Sequence, residues 1–564
     1  MTTSRPPRAQ TGPARFATED GLEDYALRYV PRSFRRWSAG AVGATALGSI
    51  AFLADFSIGA GIGLAHGALN AIVGILLASV LIFIIGYPIA RHAARFNLDL
   101  DLITRGAGFG YAGSVITNAV FASFTIIFFA LEGAIMAQGL SVGIGIPLPI
   151  GYLIATIVVI PIVIYGMRAL ERVQRWTTPL WLGLALLPVG ILVLADPGAV
   201  STFLEFPGSD GGPSGGSLLD PASVVLSASV CFALIPQLAE QIDYLRLMPP
   251  RTAATKRGWR TSFVLAGPGW VIFSGVKQLI GVFLAVYLVS VVDPTLGSLA
   301  TEPIRQFLGV YETIMPRWVA VVLALLLVIL AQIKINVTNA YSGSLALTNV
   351  TTRLFRRYPG RAAFVVVNVG IALLLMQFDV FTLLTTVLGF SAHFSLAWLV
   401  TVAVDLTVNR RLLRLSPATP EFRRGMLYSW NPVGMVSFLL ATALSMAVYF
   451  GALGHAVAPY SVLVAIGVAV VVTPLMAILT RGRFALRRSD DGIDIPRYDR
   501  DGTASVERLR CHVTGYLFER PDMLRSAERA PDGGVQYISS LALALDRSGR
   551  YVLPADPPRR RSRA

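Results

Sequence analysis

SAGAVGATALGSIAFLADFSIGAGIGLAH, from Ser38 to His66, is apolar enough to cross a bilayer, yet it holds six glycines and a carboxylate, Asp55. Glycine weakens a helix interior, and an ionised group at the centre of a membrane helix costs roughly 2.5–3.5 kcal/mol on insertion scales. The stretch therefore reads as a membrane helix built to break, with backbone exposed where protein or water can cover it. Segments long enough to span follow outward from it: Ala68 to Ala90, Tyr111 to Leu140, Pro149 to Met167, Thr177 to Ala195, Ala222 to Ala239, Ser262 to Val292, Trp318 to Asn349, Ala362 to Gln377, Phe381 to Val408, Pro432 to Gly451 and Val462 to Thr480. With the first, these make twelve expected spans. Composition agrees, because 54% apolar and 14% charged residues over 564 positions, with a mean hydropathy of +0.62, exclude a soluble enzyme.

A net charge of +15 suggests nucleic acid until the positions of the charges are read. Six alternate loops hold 24 Lys and Arg, whereas the intervening loops hold Arg305 and Arg317. That asymmetry predicts a multi-pass protein of the cell inner (plasma) membrane with both termini in the cytoplasm and an even number of spans. Residues 1–37 lack the apolar core and cleavage site of a secretory signal and are expected to stay attached as a cytoplasmic tail. Residues 38–480 are expected to form the twelve-helix membrane core. Residues 481–564 turn polar and read as a cytoplasmic appendage with a strand or helix around Tyr537 to Leu545 and a basic cluster, Arg559 to Arg563, solvated or touching anionic lipid. Two cysteines, Cys231 and Cys511, give no disulfide framework or thiolate cluster. With five scattered histidines, no phosphate-cradling G-x-x-x-x-G-K-[ST] and no H-E-x-x-H, the chain is expected to be no enzyme, to bind no metal or cofactor and to draw on an ion gradient.

The remaining signals are polar residues inside oily segments. Asp55, Glu132, Lys277 and Lys334 lie in the first, third, seventh and eighth spans, and two of the chain's three lysines are thus intramembrane. An ammonium is a compact charge able to give up its proton when desolvated, which suits coupling. Lys277 is expected to pair with Glu132 or Glu240, Glu132 to pair with a lysine or contact substrate, and Asp55 to contact substrate or sit hydrated near the outer interface. Pro236, in CFALIPQLAEQ, removes an amide hydrogen from the sixth span and opens its backbone. Broken helices in matching places of two halves point to a midplane site in a secondary transporter. Gln237, Gln241, Asn336, Thr338 and Asn339 each donate and accept, which matches the edge of a flat heterocycle. Phe124, Phe128, Phe129 and Phe232 offer faces for stacking.

RFNLDLDLITRGAGFG from Arg95, ASFTIIFFALEGAIMAQ from Ala122, EQIDYLRLMP from Glu240, QIKINVTNAYSGSLALTN from Gln332 and NPVG from Asn431 together resemble the nucleobase:cation symporter-1 family, close to its purine/cytosine permease-like members, over roughly Arg35 to Arg483. The resemblance implies an all-α polytopic membrane protein of the LeuT-type fold, with twelve transmembrane helices and a five-plus-five inverted repeat. Repeat one covers about 38–195, repeat two about 222–408, and extra helices about 432–480. It places substrate between the broken first and sixth helices and helices three and eight, which implicates Asp55, Thr125, Phe129, Glu132, Phe232, Gln237, Gln241, Asn336 and Asn339. Thr125 stands where some relatives stack an aromatic ring, Leu234 where the sixth helix has one, and Phe129 where an amide is expected. In sodium-coupled relatives the cation is held by first-helix carbonyls, here around Gly48 and Ala51, and by small hydroxyl residues of the eighth, here Lys334 and Ile335. The helix breaks are expected at Gly48 and Pro236.

The expectation is a secondary active importer of a nucleobase or related N-heterocycle (purine, cytosine or allantoin-like), coupled to H+ rather than Na+ or sodium-independent because Lys334 fills the cation site. A transporter-like sensor signalling through the tail, or an amino-acid or amine carrier on the same fold, stays open.

Overall fold

The structure, a computed structural model, describes residues 25, 27–164, 167–209, 219–378, 384–499 and 502–557, with only the backbone given for 167–169 and 384–386. Its first half contains α1 (Ala39–Ser49), α2 (Ala54–His66), α3 (Ala68–Phe96), α4 (Leu100–Thr104), α5 (Gly110–Ile144), α6 (Leu148–Ile157), α7 (Val159–Ile164), α8 (Met167–Ala195) and α9 (Gly198–Leu204). The second half contains α10 (Pro221–Phe232), α11 (Gln237–Leu245), α12 (Lys256–Ala266), α13 (Trp270–Tyr287), α14 (Pro303–Tyr311), α15 (Arg317–Phe355), α16 (Arg361–Gln377) and α17 (Leu384–Val404). Helices α18 (Pro432–Tyr449) and α19 (Ser461–Leu479) follow.

Eight helical stretches are long and apolar enough to cross a bilayer, two further spans are bent pairs, and two are shorter apolar helices, Leu148–Ile164 and Arg361–Gln377. These fill the twelve expected places. The bent pairs are α1 with α2 (50°) and α10 with α11 (43°), the first and sixth spans. The start of the tenth span, expected at Phe381, lies outside the described residues, as do Arg559 to Arg563 and residues 1–24. Several boundaries differ from expectation, among them the fifth span, whose helix α8 begins at Met167 rather than Thr177, and the second and eighth, which run on to Phe96 and Phe355. The seventh span begins at Trp270 rather than Ser262, because Gly267, Pro268 and Gly269 separate it from α12. The third is longer, since the backbone turns sharply at Ala107 and Gly108 (φ 92°), a conformation open to glycine, and α4 precedes that turn.

The first broken span packs against the seventh through small residues. A side chain at Gly59 or Gly281 would run into the backbone of Gln278 or Phe56, so the glycines of α2 and α13 set how closely these helices approach.

The C-terminal segment carries more structure than the single strand or helix expected near Tyr537. β1 (Arg508–Arg510) pairs antiparallel with β2 (Leu517–Glu519), β3 (Met523–Arg529) with β4 (Val535–Ser539), and α20 (Ser540–Leu545) follows directly. Cys511, Phe518, Met523, Leu524 and Ile538 form its core, joined by Met426 from the loop after the tenth span. Arg423 fixes this cap to the membrane domain by bonding Glu421 and Asp491, both at 2.7 Å, and the Met523 carbonyl at 2.6 Å. The N-terminal stretch around Tyr29 is held in the same joint. Tyr29 and Val30 are fully buried, the Tyr29 amide donates to Asp522 (3.1 Å) and the Val30 amide to the Asn97 carbonyl (3.2 Å).

Candidate functional site

At the first break the chain leaves helical hydrogen bonding between Ser49 and Ala54, which frees carbonyls at membrane depth. Lys277 of α13 satisfies them. Its ammonium donates to the carbonyls of Ile50 (2.5 Å) and Phe52 (3.0 Å), pairs with Asp55 at 2.8 Å and lies 3.6 Å from the centre of the Phe52 ring. Three donors thus meet three oxygens. Asp55 also accepts from Ser274 (2.7 and 2.8 Å to its two oxygens) and Gln278 (2.8 Å), residues spaced i and i+4 on the facing side of α13. Two expectations are corrected here. Lys277 pairs with Asp55 instead of Glu132 or Glu240, and Asp55 is fully buried rather than hydrated at the outer interface.

Gly48 is not the break. It lies within α1, where a side chain would come within 2.9 Å of Gln174 on α8, so the glycine permits helix contact. Ala51 does lie in the broken stretch and is buried. The second break runs from Ala233 to Pro236, tightened by turns in which the amides of Ala233, Leu234 and Ile235 bond three residues back. Pro236 closes it and opens α11, where its missing amide costs nothing.

Lys334, fully buried on α15, donates to the Gln174 carbonyl (2.9 Å) and to the hydroxyls of Thr177 (3.1 Å) and Thr178 (2.9 Å), all on α8. Gln174 returns the contact by donating its side-chain amide to the Lys334 carbonyl (2.8 Å). The ammonium therefore rests among oxygens beside Gly48, but the fifth span supplies them, not the first-helix carbonyls expected.

The opposite face of α15 is different. Gln332, Asn336 and Asn339 recur at i, i+4 and i+7 and so form one stripe. All three are buried, and the described residues offer no hydrogen-bond partner to either end of Gln332, to Asn336 Nδ2 or to Asn339 Oδ1. Asn339 does donate to Asn336 Oδ1 (3.2 Å). Glu132, fully buried on α5, lies against Gln332 and the Ala54 amide without closing a hydrogen bond of good geometry at either oxygen. Glu240 on α11 accepts from Gln237 at one oxygen (2.8 Å) and from nothing at the other. Bonds from Tyr244 to Thr338 (2.9 Å) and from Ser342 to Asp243 (2.6 Å) hold α11 against α15 on either side of Asn339. Buried polar groups are normally paired, so this run of unpaired ones on the third, sixth and eighth spans is where the fold leaves binding capacity.

Other expected residues are placed elsewhere. Gln241 bonds Ser49 (3.2 Å) and, with its amide turned to donate, the carbonyls of Ala46 and Ala266 (3.1 and 3.0 Å), which makes it a tie between helices. Thr125 donates to its own helix at Ala122 (2.8 Å) and abuts Gly343. Phe129 and Phe232 are fully buried in the apolar core, while Phe124 and Phe128 line a separate apolar cavity of about 220 Å³ between α5 and α17. Gln332 and Asn368, both buried with unpaired amides, were not singled out from sequence. The one-turn spacing of Gln332 before Asn336 was the available signal for the first. No such signal marks Asn368. Among the described residues no cluster of His, Cys, Asp or Glu suits a metal ion.

Two sets of five spans, each opening on a broken helix, with polar groups gathered beside the breaks, define the LeuT-type secondary-transporter fold. The chain is similar to Mhp1, a nucleobase-cation-symport-1 family transporter, in a closed conformation with bromovinylhydantoin bound (TM-score 0.62, 16% identity, 82% of this chain and 97% of that one). It is likewise similar to the inward-facing conformation of Mhp1 (0.59, 17%, 85% and 96%) and to the substrate-bound outward-open state of a Na+-coupled sialic acid symporter (0.56, 14%, 79% and 91%). At such identities the likeness establishes the fold. No family model and no curated protein matches the sequence.

Proposed function

We propose that this protein is a secondary active transporter that imports a nucleobase or related N-heterocycle (purine, cytosine or allantoin-like) by alternating access, coupled to H+ or independent of sodium. The observation that carries the reading is the buried stripe of Gln332, Asn336 and Asn339, with Gln332 beside Glu132 and much of the hydrogen-bonding capacity of these groups unspent. A flat ligand whose edge alternates N–H and C=O spends that capacity, and the unpaired protein groups penalise a ligand that lacks it. Lys334 bears on coupling. Its ammonium already occupies an oxygen cage of one carbonyl and two hydroxyls next to Gly48, which disfavours a second cation there. The loop asymmetry of 24 basic residues against two supports cytoplasmic termini.

Uptake of radiolabelled uracil, cytosine, hypoxanthine and allantoin into vesicles reconstituted with the protein tests this. At least one should be taken up faster with an inward proton gradient and unaltered by sodium. Strict sodium dependence overturns the role given to Lys334, and uptake of no heterocycle overturns the substrate class.

One observation favours a cationic solute as a second reading. Three of the four oxygens of Glu132 and Glu240 lack a partner, and both intramembrane lysines are committed elsewhere. Amines competing more strongly than neutral heterocycles in the same assay select it.

A further inference from the structure

Two groups of spans pack more tightly within themselves than against each other. The first joins α1 and α2 to α3, α11 and α13, and the second joins α5 to α6, α15 and α16. The candidate site lies between them, with Gln332 and Glu132 on the second group and Glu240 and the Ala54 amide on the first. A site that opens to one side and then the other needs these groups to part at one end at a time. On the side of the basic loops, which the reading above makes cytoplasmic, they are closed. Ser342 of α15 donates to Asp243 of α11 (2.6 Å), and the cavity beside that bond, lined by Asp243, Ser342, Ala346, Asn118 and Asn349, measures about 20 Å³, room for a single water.

The C-terminal cap sits over this closure and grips both groups. On the first it takes the stretch that leads into α1. The amides of Tyr29 and Arg32 donate to Asp522 (3.1 Å) and Glu519 (2.8 Å), Arg28 lies 3.8 Å from Asp522, and Tyr498 packs on Phe96 at the end of α3 (ring centroids 5.1 Å). That stretch is itself tied to the first group, since Arg35 donates to Asn97 (2.7 Å) and Asn97 donates to the carbonyls of Arg246 and Met248 (2.9 Å each), just beyond α11. On the second group, Arg356 at the end of α15 donates to the Ala544 carbonyl (2.9 Å), and Arg547 to the Phe355 carbonyl (3.0 Å). Leu27 completes the bridge, because it shares one buried cluster with Leu541 and Ala544 of α20 and with Tyr358, just past α15. The small cavity at Ala346 lies about 14 Å back along α15 from Phe355 at 1.5 Å per residue. Parting the two groups here strips the Tyr29 and Arg32 amides of their acceptors and exposes the Leu27 cluster. The N-terminal stretch is the side that gives, because Arg423 and Arg424 anchor the cap through side-chain bonds to Asp491 and to the carbonyls of Met523, Leu543 and Asp546.

We propose that the cap is a latch, which holds the two groups together on the cytoplasmic side and releases the stretch from Leu27 to Arg32 before the site opens inward. The latch rests on the alternating-access reading.

The test follows alkylation of Ala346→Cys by a water-soluble maleimide in the full-length protein in detergent micelles, read peptide by peptide by mass spectrometry. Leu27→Asp puts a carboxylate into the shared cluster and should raise the rate roughly ten-fold, the lower end of what burying a leucine side chain contributes. Native Cys231, buried in the sixth span, is the internal reference and should react no faster. Glu519→Gln weakens one amide contact and leaves the cluster whole, so it should give a smaller rise and carries the test if Leu27→Asp does not fold. Joining Leu27→Cys to Leu541→Cys with a bismaleimide should lower the rate below that of the unlinked protein. An unaltered rate in the variants that fold, an equal rise at Cys231, or a cross-link without effect overturns the latch. If alkylation responds as expected and no heterocycle is taken up, the substrate class falls and the latch stands; if uptake proceeds and alkylation does not respond, the latch alone falls.

Discussion

The cap and the membrane core both bury charge, and they treat it in opposite ways. In the cap joint the central carboxylates have several partners: Glu421 accepts from Arg423 and Arg497, and Asp491 from Arg423 and Arg520. In the core, Lys277 and Asp55 follow that rule at the first helix break, whereas Glu132, Gln332 and one oxygen of Glu240 do not. Paired groups hold structure in place. Unpaired ones keep capacity for a ligand, and the fold tolerates their cost.

The largest expected effect breaks a paired group. Lys277→Ala leaves Asp55 buried without a counter-charge and the Ile50 and Phe52 carbonyls without a donor, so it should destabilise the protein by about 3–5 kcal/mol. Thermal unfolding in micelles measures this, and pairing the change with Asp55→Asn should recover part of the loss. A neutral Lys277→Ala would mean that the pair is dispensable and the contrast between the two classes false.

Gln332→Leu should behave in the reverse manner. Its amide lies against Glu132 without closing a hydrogen bond of good geometry, so stability should change by less than about 1 kcal/mol or rise, while ligand-induced stabilisation falls by about 1–3 kcal/mol. Calorimetry with and without the transported heterocycle separates the two. A large stability loss with ligand response intact would turn the stripe into an ordinary packing element.

The smallest effect concerns the cap and pH. Burial pushes the Asp522 carboxyl up to about 7 against the pull of Arg28, whereas for Glu421 the guanidinium groups of Arg423 and Arg497 overcome burial and hold it at about 2. Between pH 4 and 7 the folded Asp522 binds more protons than the unfolded chain, so its contribution to stability falls as pH rises, by at most about 1.4 kcal/mol per pH unit. Glu421 has the opposite sign: its contribution is complete above pH 4.5 and is lost as pH falls toward 2. Protection of the cap from protease should weaken between pH 5 and 7, and Asp522→Asn should flatten that trend. A wild-type profile that is already flat removes Asp522 from the joint.

Span count and the existence of breaks in the first and sixth spans were legible because both depend on local composition: length of apolar run, glycine content and a proline. The position of the first break was not. Gly48 lies inside α1, and the chain opens from Ile50, two residues later, where Lys277 of another helix meets the freed carbonyls. The amide stripe of α15 was half visible. Asn336 and Asn339 stood out beside Lys334, whereas Gln332 became notable only once its side chain proved to lack a partner. Thr125 and Gln241 drew attention as polar residues in oily helices, yet their hydrogen bonds go to neighbouring backbone and side chains.

The sequence by itself determined that the chain is a multi-pass bundle of apolar spans, which helices are weak, and which charges lie inside those spans, since hydropathy, helix propensity and the cost of burying an ion belong to each segment. Only the tertiary structure decided that Lys277 meets Asp55, that Lys334 meets the fifth span, and that the polar tail folds into a cap. Those outcomes depend on the register between helices far apart in the chain, where a shift of one residue turns a side chain by about 100° and changes which partner is within the few ångströms that a hydrogen bond allows.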